Sequence, residues 1–350
     1  MKKYFVLIAV AMIALAGCKK EETGMVTLKV GAENATNFDK QTYNVQLNRI
    51  MFNNGETMLI NGGEYDIQPS NEDNDAYTTE YNSYKASLEV PATALYGRPF
   101  LAVYPSTIFT ENVYDADNDV WAIDEGLMLN DCNMICDVNA DDVQGNILLD
   151  GQYRAWPMVA YDVCGTCIAQ EGQFRMKNTV AILSPAFIYG MNWFRAMNDD
   201  YGLGYDTRDG ITSASQLPAV EVERVVITSS SEPLSGNAYV AGLTTAEPKL
   251  VMDEPAGENT LTLTNCGTYS NATNPNFINP NIIGQIPVAP FVGRTHLTMT
   301  VFFTIGQDHF KYQGDPVQFT SDMTVRNVRT ILQINMRDDN ADNMRKFTRL

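Results

Sequence analysis

Apolar and polar side chains alternate at period two in Met25-Val26-Thr27-Leu28-Lys29-Val30 and again in Tyr43-Asn44-Val45-Gln46-Leu47-Asn48. A strand points successive side chains to opposite faces, so each stretch predicts a half-buried β-strand. Ala86-Ser87-Leu88-Glu89-Val90 repeats the pattern and stops at Pro91, which has no N–H to give to a ladder. Phe100-Leu101-Ala102-Val103-Tyr104 is apolar and bracketed by Pro99 and Pro105, a buried strand entered and left through turns. From Gln173 to Leu183 the residues Phe174, Met176 and Ile182 face inward, but the phase breaks at Asn178, as a bulge or a short helical turn would cause. Val220 to Thr228, Leu234 to Val240, Thr260 to Thr264, His296 to Phe303 and Thr330 to Met336 complete the strands, leaving a polar tail from Arg337 to Leu350. Pro69 to Asp75 reads as a solvated loop, and residues 190–218 as a long insert of weak periodicity. Strand signals recur with turns between them and helix signals do not, so the chain is expected to be all-β, built of β-sandwiches.

The first residues follow a different rule. Met1-Lys2-Lys3 precedes an apolar run from Tyr4 to Ala16, and Leu15-Ala16-Gly17-Cys18 closes it with small residues before a cysteine. A basic start, a short apolar stretch and a cysteine in that order make a bacterial lipoprotein signal, so residues 1–17 are expected to be removed and Cys18 to carry lipid. The run is about 13 residues long, short of the roughly 20 that span a bilayer as a helix. Residues 18–24 then form a tether, with Lys19-Lys20-Glu21-Glu22 directly after the lipid site.

About 330 residues remain, which suggests two domains, expected at 25–170 and 171–350. The formal charge is -18, and loss of Lys2 and Lys3 takes the mature chain to about -20. Such a surface repels phosphate backbones, so no nucleic-acid partner is expected. The only histidines are His296 and His309, too far apart in sequence for a paired-histidine metal motif, and no cofactor is expected. With Cys18 lipidated, Cys132, Cys136, Cys164, Cys167 and Cys266 remain. An oxidising envelope favours disulfides among Cys132, Cys136, Cys164 and Cys167, of unassigned pairing, while a zinc site of the same four thiolates is the sharper alternative. A thioredoxin-like role for Cys164-Gly-Thr-Cys167 would need the motif to open a helix after a strand, and β-type sequence lies on both sides.

No catalytic constellation stands out, and the chain is not expected to be an enzyme. Adjacent carboxylates at Asp141-Asp142 and Asp338-Asp339 would point to opposite faces of a strand, and the serines at 213–215 and 229–231 lack a G-x-S-x-G setting. Asp115, Asp117 and Asp119 are spaced to gather a calcium ion, without the glycine and distal glutamate of the helix-loop-helix calcium motif. Trp121, Trp156, Trp193, Tyr201 and Tyr205 offer rings for stacking on sugars. Trp193 and Tyr205, in the long insert, are the freer ones.

The lipoprotein signal, the N-terminal strand pair, Phe100 to Pro105, Trp156-Pro157-Met158-Val159-Ala160, Phe174 to Leu183, Val225-Val226-Ile227 and Leu234-Ser235-Gly236 together resemble the fimbrillin family of type V pilus subunits. Lys19 to Glu22 is similar to the export tag of surface lipoproteins in the bacteria that build such pili. The resemblance implies two tandem transthyretin-like, Greek-key β-sandwich domains. It also implies a surface-exposed outer-membrane lipoprotein in a fimbrium, with other pilus subunits and host or bacterial surface ligands as partners. In this family an arginine-specific protease removes N-terminal strands, and a strand from a neighbouring subunit fills the gap. Arg49 matches the cleavage position. The donor would be the last strand, with Ile331, Gln333 and Asn335 on one face and Leu332, Ile334 and Met336 on the other. Lys177-Asn178-Thr179-Val180-Ala181 stands where many members carry an arginine-and-alanine strand, which marks a divergent member. The alternative is a monomeric surface lipoprotein that binds glycans or acts as an adhesin.

Overall fold

The computed structural model describes residues 24–33, 36–37, 52–70, 82–83, 85–106, 114–115, 120–121, 127–128, 137–139, 157–213, 216–235, 238–243, 245–252, 259–264, 266–269, 281–283, 286–336 and 344–350. The fold is all-β in layered sheets. Its first half runs β1 (Met25–Ala32), β2 (Thr36–Asn37), β3 (Thr57–Ile60), β4 (Gly63–Asp66), β5 (Gln68–Pro69), β6 (Lys85–Pro91), β7 (Phe100–Tyr104), β8 (Met158–Asp162), helix α1 (Gly165–Glu171) and β9 (Gln173–Asn178). All of these strands except β2 join one eight-stranded sheet in the order β4-β3-β7-β8-β9-β1-β6-β5. The end strand β4 passes through buried Ile67 directly into β5 at the opposite end, so the sheet wraps around its own core. That core takes the inward positions of each alternating strand: Leu28 and Val30 from β1, Leu88 and Val90 from β6, Phe100 and Tyr104 from β7.

Strand β7 shows why an unbroken apolar run was needed. Phe100, Ala102 and Tyr104 enter the first core, while Leu101 and Val103 enter a separate cluster on the other face. That second cluster is roofed by a hairpin from the second half of the chain, Ala238–Ala241 paired with Lys249–Met252.

The chain crosses between the two halves at Thr179 and Val180. Thr179 is pinned there by its N–H and its hydroxyl, both donating to the Pro157 carbonyl at 3.1 and 2.6 Å. The broken phase at Asn178 is therefore a change of sheet, neither a bulge nor a helical turn. Beyond it come β10 (Ala181–Tyr189), helix α2 (Met191–Tyr201), β11 (Val220–Ser229), β12 (Ala238–Ala241), β13 (Lys249–Met252), β14 (Thr260–Thr264), β15 (Thr295–Ile305), β16 (Asp308–Gln313), β17 (Val328–Met336) and β18 (Phe347–Arg349). One layer is the β14-β11-β15-β16-β18 run of a second eight-stranded sheet. The other is a sheet in which β17 lies between β2 and β10. Ala181, Leu183 and Phe187 of β10 and Leu332 and Ile334 of β17 face Val225, Ile227, Leu297 and Val301 of the opposite layer across a single core.

Two sequence expectations are corrected here. The insert at 190–218 carries α2, whose Trp193, Phe194 and Met197 are buried on one side, and it ends at Gly202 with φ 64°, a left-handed stop that glycine adopts without strain. The tail also does not finish as polar chain. Phe347 is buried against Trp193, Phe303 and Tyr312, and β18 pairs antiparallel with β16. Within the strand itself Phe347 is followed only by Thr348 and Arg349, too short a stretch to show periodicity.

Candidate functional site

Cys18 and Arg49 lie outside the described residues, as does the strand expected at Tyr43 to Asn48. The N-terminal strand that the expected cut would remove, β1, is in place. β1 lies inside the first sheet, antiparallel to β6 from Met25↔Pro91 to Gly31↔Lys85 and parallel to β9 from Lys29↔Gln173 to Ala32↔Met176. Leu28, Val30 and Ala32 point into the core and are at most 5% exposed, while Thr27 and Lys29 face outward. An N-terminal strand thus occupies a slot whose two walls come from later sequence.

β17, the strand expected to be the donor, lies in the second half of the chain. It runs parallel to β10 from Ile182↔Arg329 to Tyr189↔Met336. Leu332 and Ile334 are buried, Gln333 and Asn335 are exposed, and Ile331 is half-buried. On its other edge β2 pairs in parallel at Val328 and Arg329 alone, so no described strand covers that edge from Thr330 to Met336.

Segments from near both ends of the chain meet at one junction. Arg326, in the turn before β17, is mostly buried, its side chain 9% exposed. Its Nη1 donates to Glu33 Oε2 at 2.6 Å and to the Asn178 carbonyl at 2.8 Å, its Nη2 to Glu33 Oε1 at 3.2 Å, and its Nε to Glu247 Oε2 at 2.8 Å. Burial works against the guanidinium's charge, but its hydrogen bonds to Glu33 and Glu247 win and raise its pKa. The bond from Arg326 in turn lowers the pKa of Glu247. Asn178 adds its N–H to Glu33 Oε2 at 3.1 Å and its amide to Asn327 Oδ1 at 3.3 Å. Lys177 donates to the carbonyls of Thr245 and Ala246 in the loop between β12 and β13. Lys177, Asn178 and Thr179 are thus the residues that build this crossing. Glu33 and Arg326 are 293 positions apart, and no periodicity signals such a pair.

Cys164 and Cys167 are bridged to each other, and Cys266 is buried outside any disulfide. The bridge removes two thiolates from a four-cysteine zinc site, while Cys132 and Cys136 lie outside the described residues. The motif does open a helix after a strand, contrary to expectation: Cys164 caps α1, accepting the Cys167 N–H on Sγ, directly after β8. Glycine and threonine between the cysteines serve docking. The Gly165 N–H donates to the Arg98 carbonyl at 2.9 Å, and Thr166 Oγ1 accepts the Gly97 N–H at 3.1 Å. A Cβ at Gly165 would lie 2.3 Å from the Leu95 carbonyl oxygen, and backbone cannot swing aside. Gly165→Ala is therefore expected to destabilise the protein by about 1–3 kcal/mol, seen as a lowered denaturant midpoint.

Of the calcium stretch only the backbone of Asp115 is described, paired opposite Val120; Asp117 and Asp119 lie outside, as do Asp141, Asp142, Asp338 and Asp339. No group of three or more metal-ligating side chains occurs among the described residues. The rings read as free are not: Trp193 is fully buried, and Tyr205 packs edge-on against Phe194 at 5.3 Å. Tyr201 packs against Phe310, and the side chains of Trp121 and Trp156 are outside the described set. Ser229 and Ser230 share Thr295 Oγ1 in a turn. No helix among the described residues is long and apolar enough to cross a membrane.

No protein-family profile matches the chain, and no curated protein matches it. Among solved structures it is similar to one from Bacteroides fragilis NCTC 9343, provisionally described as a cell adhesion protein. That likeness has 10% identity over 91% of this chain and 95% of the other, at a TM-score of 0.43. A second, provisionally described in the same way, comes from Bacteroides eggerthii DSM 20697, with 9% identity, coverage of 90% and 88%, and a TM-score of 0.34. A third, from Bacteroides ovatus ATCC 8483, is provisionally described as an adhesin, with 9% identity, 91% of each chain and a TM-score of 0.18. Overlap this loose transfers no role.

Proposed function

We propose that the chain is a non-enzymatic structural or adhesive subunit of a bacterial surface pilus. It is exported as a lipoprotein acylated on Cys18, held at the outer membrane by that lipid, and joined to other subunits by strand exchange after an arginine-directed cut at Arg49. The observation that carries this reading is the place of β1, an N-terminal strand with ladders on both edges and its apolar face in the core. Its departure would leave β6 and β9 without their shared partner, an apolar groove edged by unpaired backbone groups that water satisfies poorly. Burial of a Leu or Val side chain is worth about 1.5–3 kcal/mol, so a replacement strand with matched alternation would be held without covalent bonds. β17 of a neighbouring subunit offers Leu332 and Ile334 at the two-residue spacing of Leu28 and Val30.

The test is the mature protein at the cell surface. Digestion with an arginine-specific protease should give an N-terminus at Ile50 and a ladder of polymers on unheated gels. A chain that keeps acyl-Cys18 and stays monomeric would instead be a stand-alone surface lipoprotein, and the pilus reading would fall.

A further inference from the structure

We propose that the Glu33–Arg326 ion pair is a latch that keeps β17 in its own chain until the N-terminal segment has been removed. The inference rests on the strand-exchange reading and adds its regulation. Arg326 lies in the turn that leads into β17, and Glu33 immediately follows β1, on the side of Arg49 that cleavage would take away. Of the two carboxylates on Arg326, Glu247 is 71% exposed and Glu33 only 25%, so the pair with Glu33 is the less screened.

The N-terminal segment holds β17 at two places, and both are at its start. One is the bidentate pair with Arg326; the other is the β2 ladder on Val328 and Arg329. Loss of residues up to Arg49 removes both together. Arg326 is then a buried cation that has lost its better-shielded carboxylate, a state relieved when the turn moves toward water. That turn also holds Asn327, at φ 61°, tied to the crossing by its bonds with Val180 and Asn178. Movement there peels β17 from its first residues, along an edge that no described strand guards beyond Arg329.

Hydrogen exchange read by mass spectrometry on the uncleaved mature chain tests this, comparing wild type, Glu33→Gln and Glu247→Gln. Glu33→Gln should speed amide exchange across Val328–Met336 about tenfold while leaving the β15–β16 hairpin at the wild-type rate, and Glu247→Gln should change it less than about twofold. Equal rates across Val328–Met336 in wild type and Glu33→Gln would overturn the latch, as would a uniform rise over the whole chain. Should Glu33→Gln fail to fold, Glu33→Asp, which keeps the charge but shortens its reach, carries the same comparison. Because no protease is present, failure of the wild type to form ladders after cleavage counts against strand exchange alone.

Discussion

Replacing Trp193 with alanine is expected to cost about 3–5 kcal/mol, a large part of the roughly 5–15 kcal/mol that holds a domain folded. The ring is fully buried between Tyr189, Phe303 and Phe347, at centroid distances of 5.9, 6.0 and 5.6 Å. Those three neighbours come from β10, β15 and β18, so α2 joins both layers and the chain end through one side chain. Alanine would leave a cavity that three strands held by their own ladders cannot close. Trp193→Phe separates ring volume from polarity. Among the described residues Nε1 is buried without a hydrogen-bond partner, a cost of its own. Phenylalanine removes that donor and keeps most of the ring, so its denaturant midpoint should fall by well under half of the alanine shift. Equal losses for the two variants would mean that the indole N–H is satisfied and that the packing argument is incomplete.

What the sequence disclosed follows the physics of strands. Alternation located β1, β6, β11, β14, β15 and β17 because each presents one face to a core and one to water. The continuous run of β7 was also legible as burial, though not that its two faces serve different clusters. Helix α2 was hidden by its length and surroundings: Trp193, Phe194 and Met197 carry helical spacing, but the polar residues around them in a glycine-rich stretch masked it. The disulfide motif misled because α1 has fewer than three turns, too short to register against strands on either side. The junction of Glu33, Asn178 and Arg326 is a product of topology. β1 runs parallel to β9 and β17 parallel to β10, the strands on either side of the crossing, which brings Glu33 and Arg326 together, and nothing local in the sequence encodes that meeting.

A synthetic peptide with the sequence of Met25–Ala32, added in excess during arginine-directed cleavage, is expected to halt ladder growth, and the same peptide carrying Val30→Asp is not. Val30 is 2% exposed between Leu28 and Ala32, with Ala86 and Phe174 as its ladder partners. Aspartate there would have to shed water with no cation to meet it, or bind a proton; either costs several kcal/mol, and about 4 kcal/mol is a thousandfold in Kd. Lys29→Asp is the matched control. Lys29 faces outward beside Ser87 and Gln173, so a carboxylate at that position keeps its hydration and should leave inhibition within a few-fold of the parent peptide. The pair of substitutions therefore tests the alternation of β1 itself, one residue apart and on opposite faces. If the Val30→Asp peptide blocks growth as well as its parent, ladders do not pass through the slot between β6 and β9, and the joint between subunits lies on another edge of the protein.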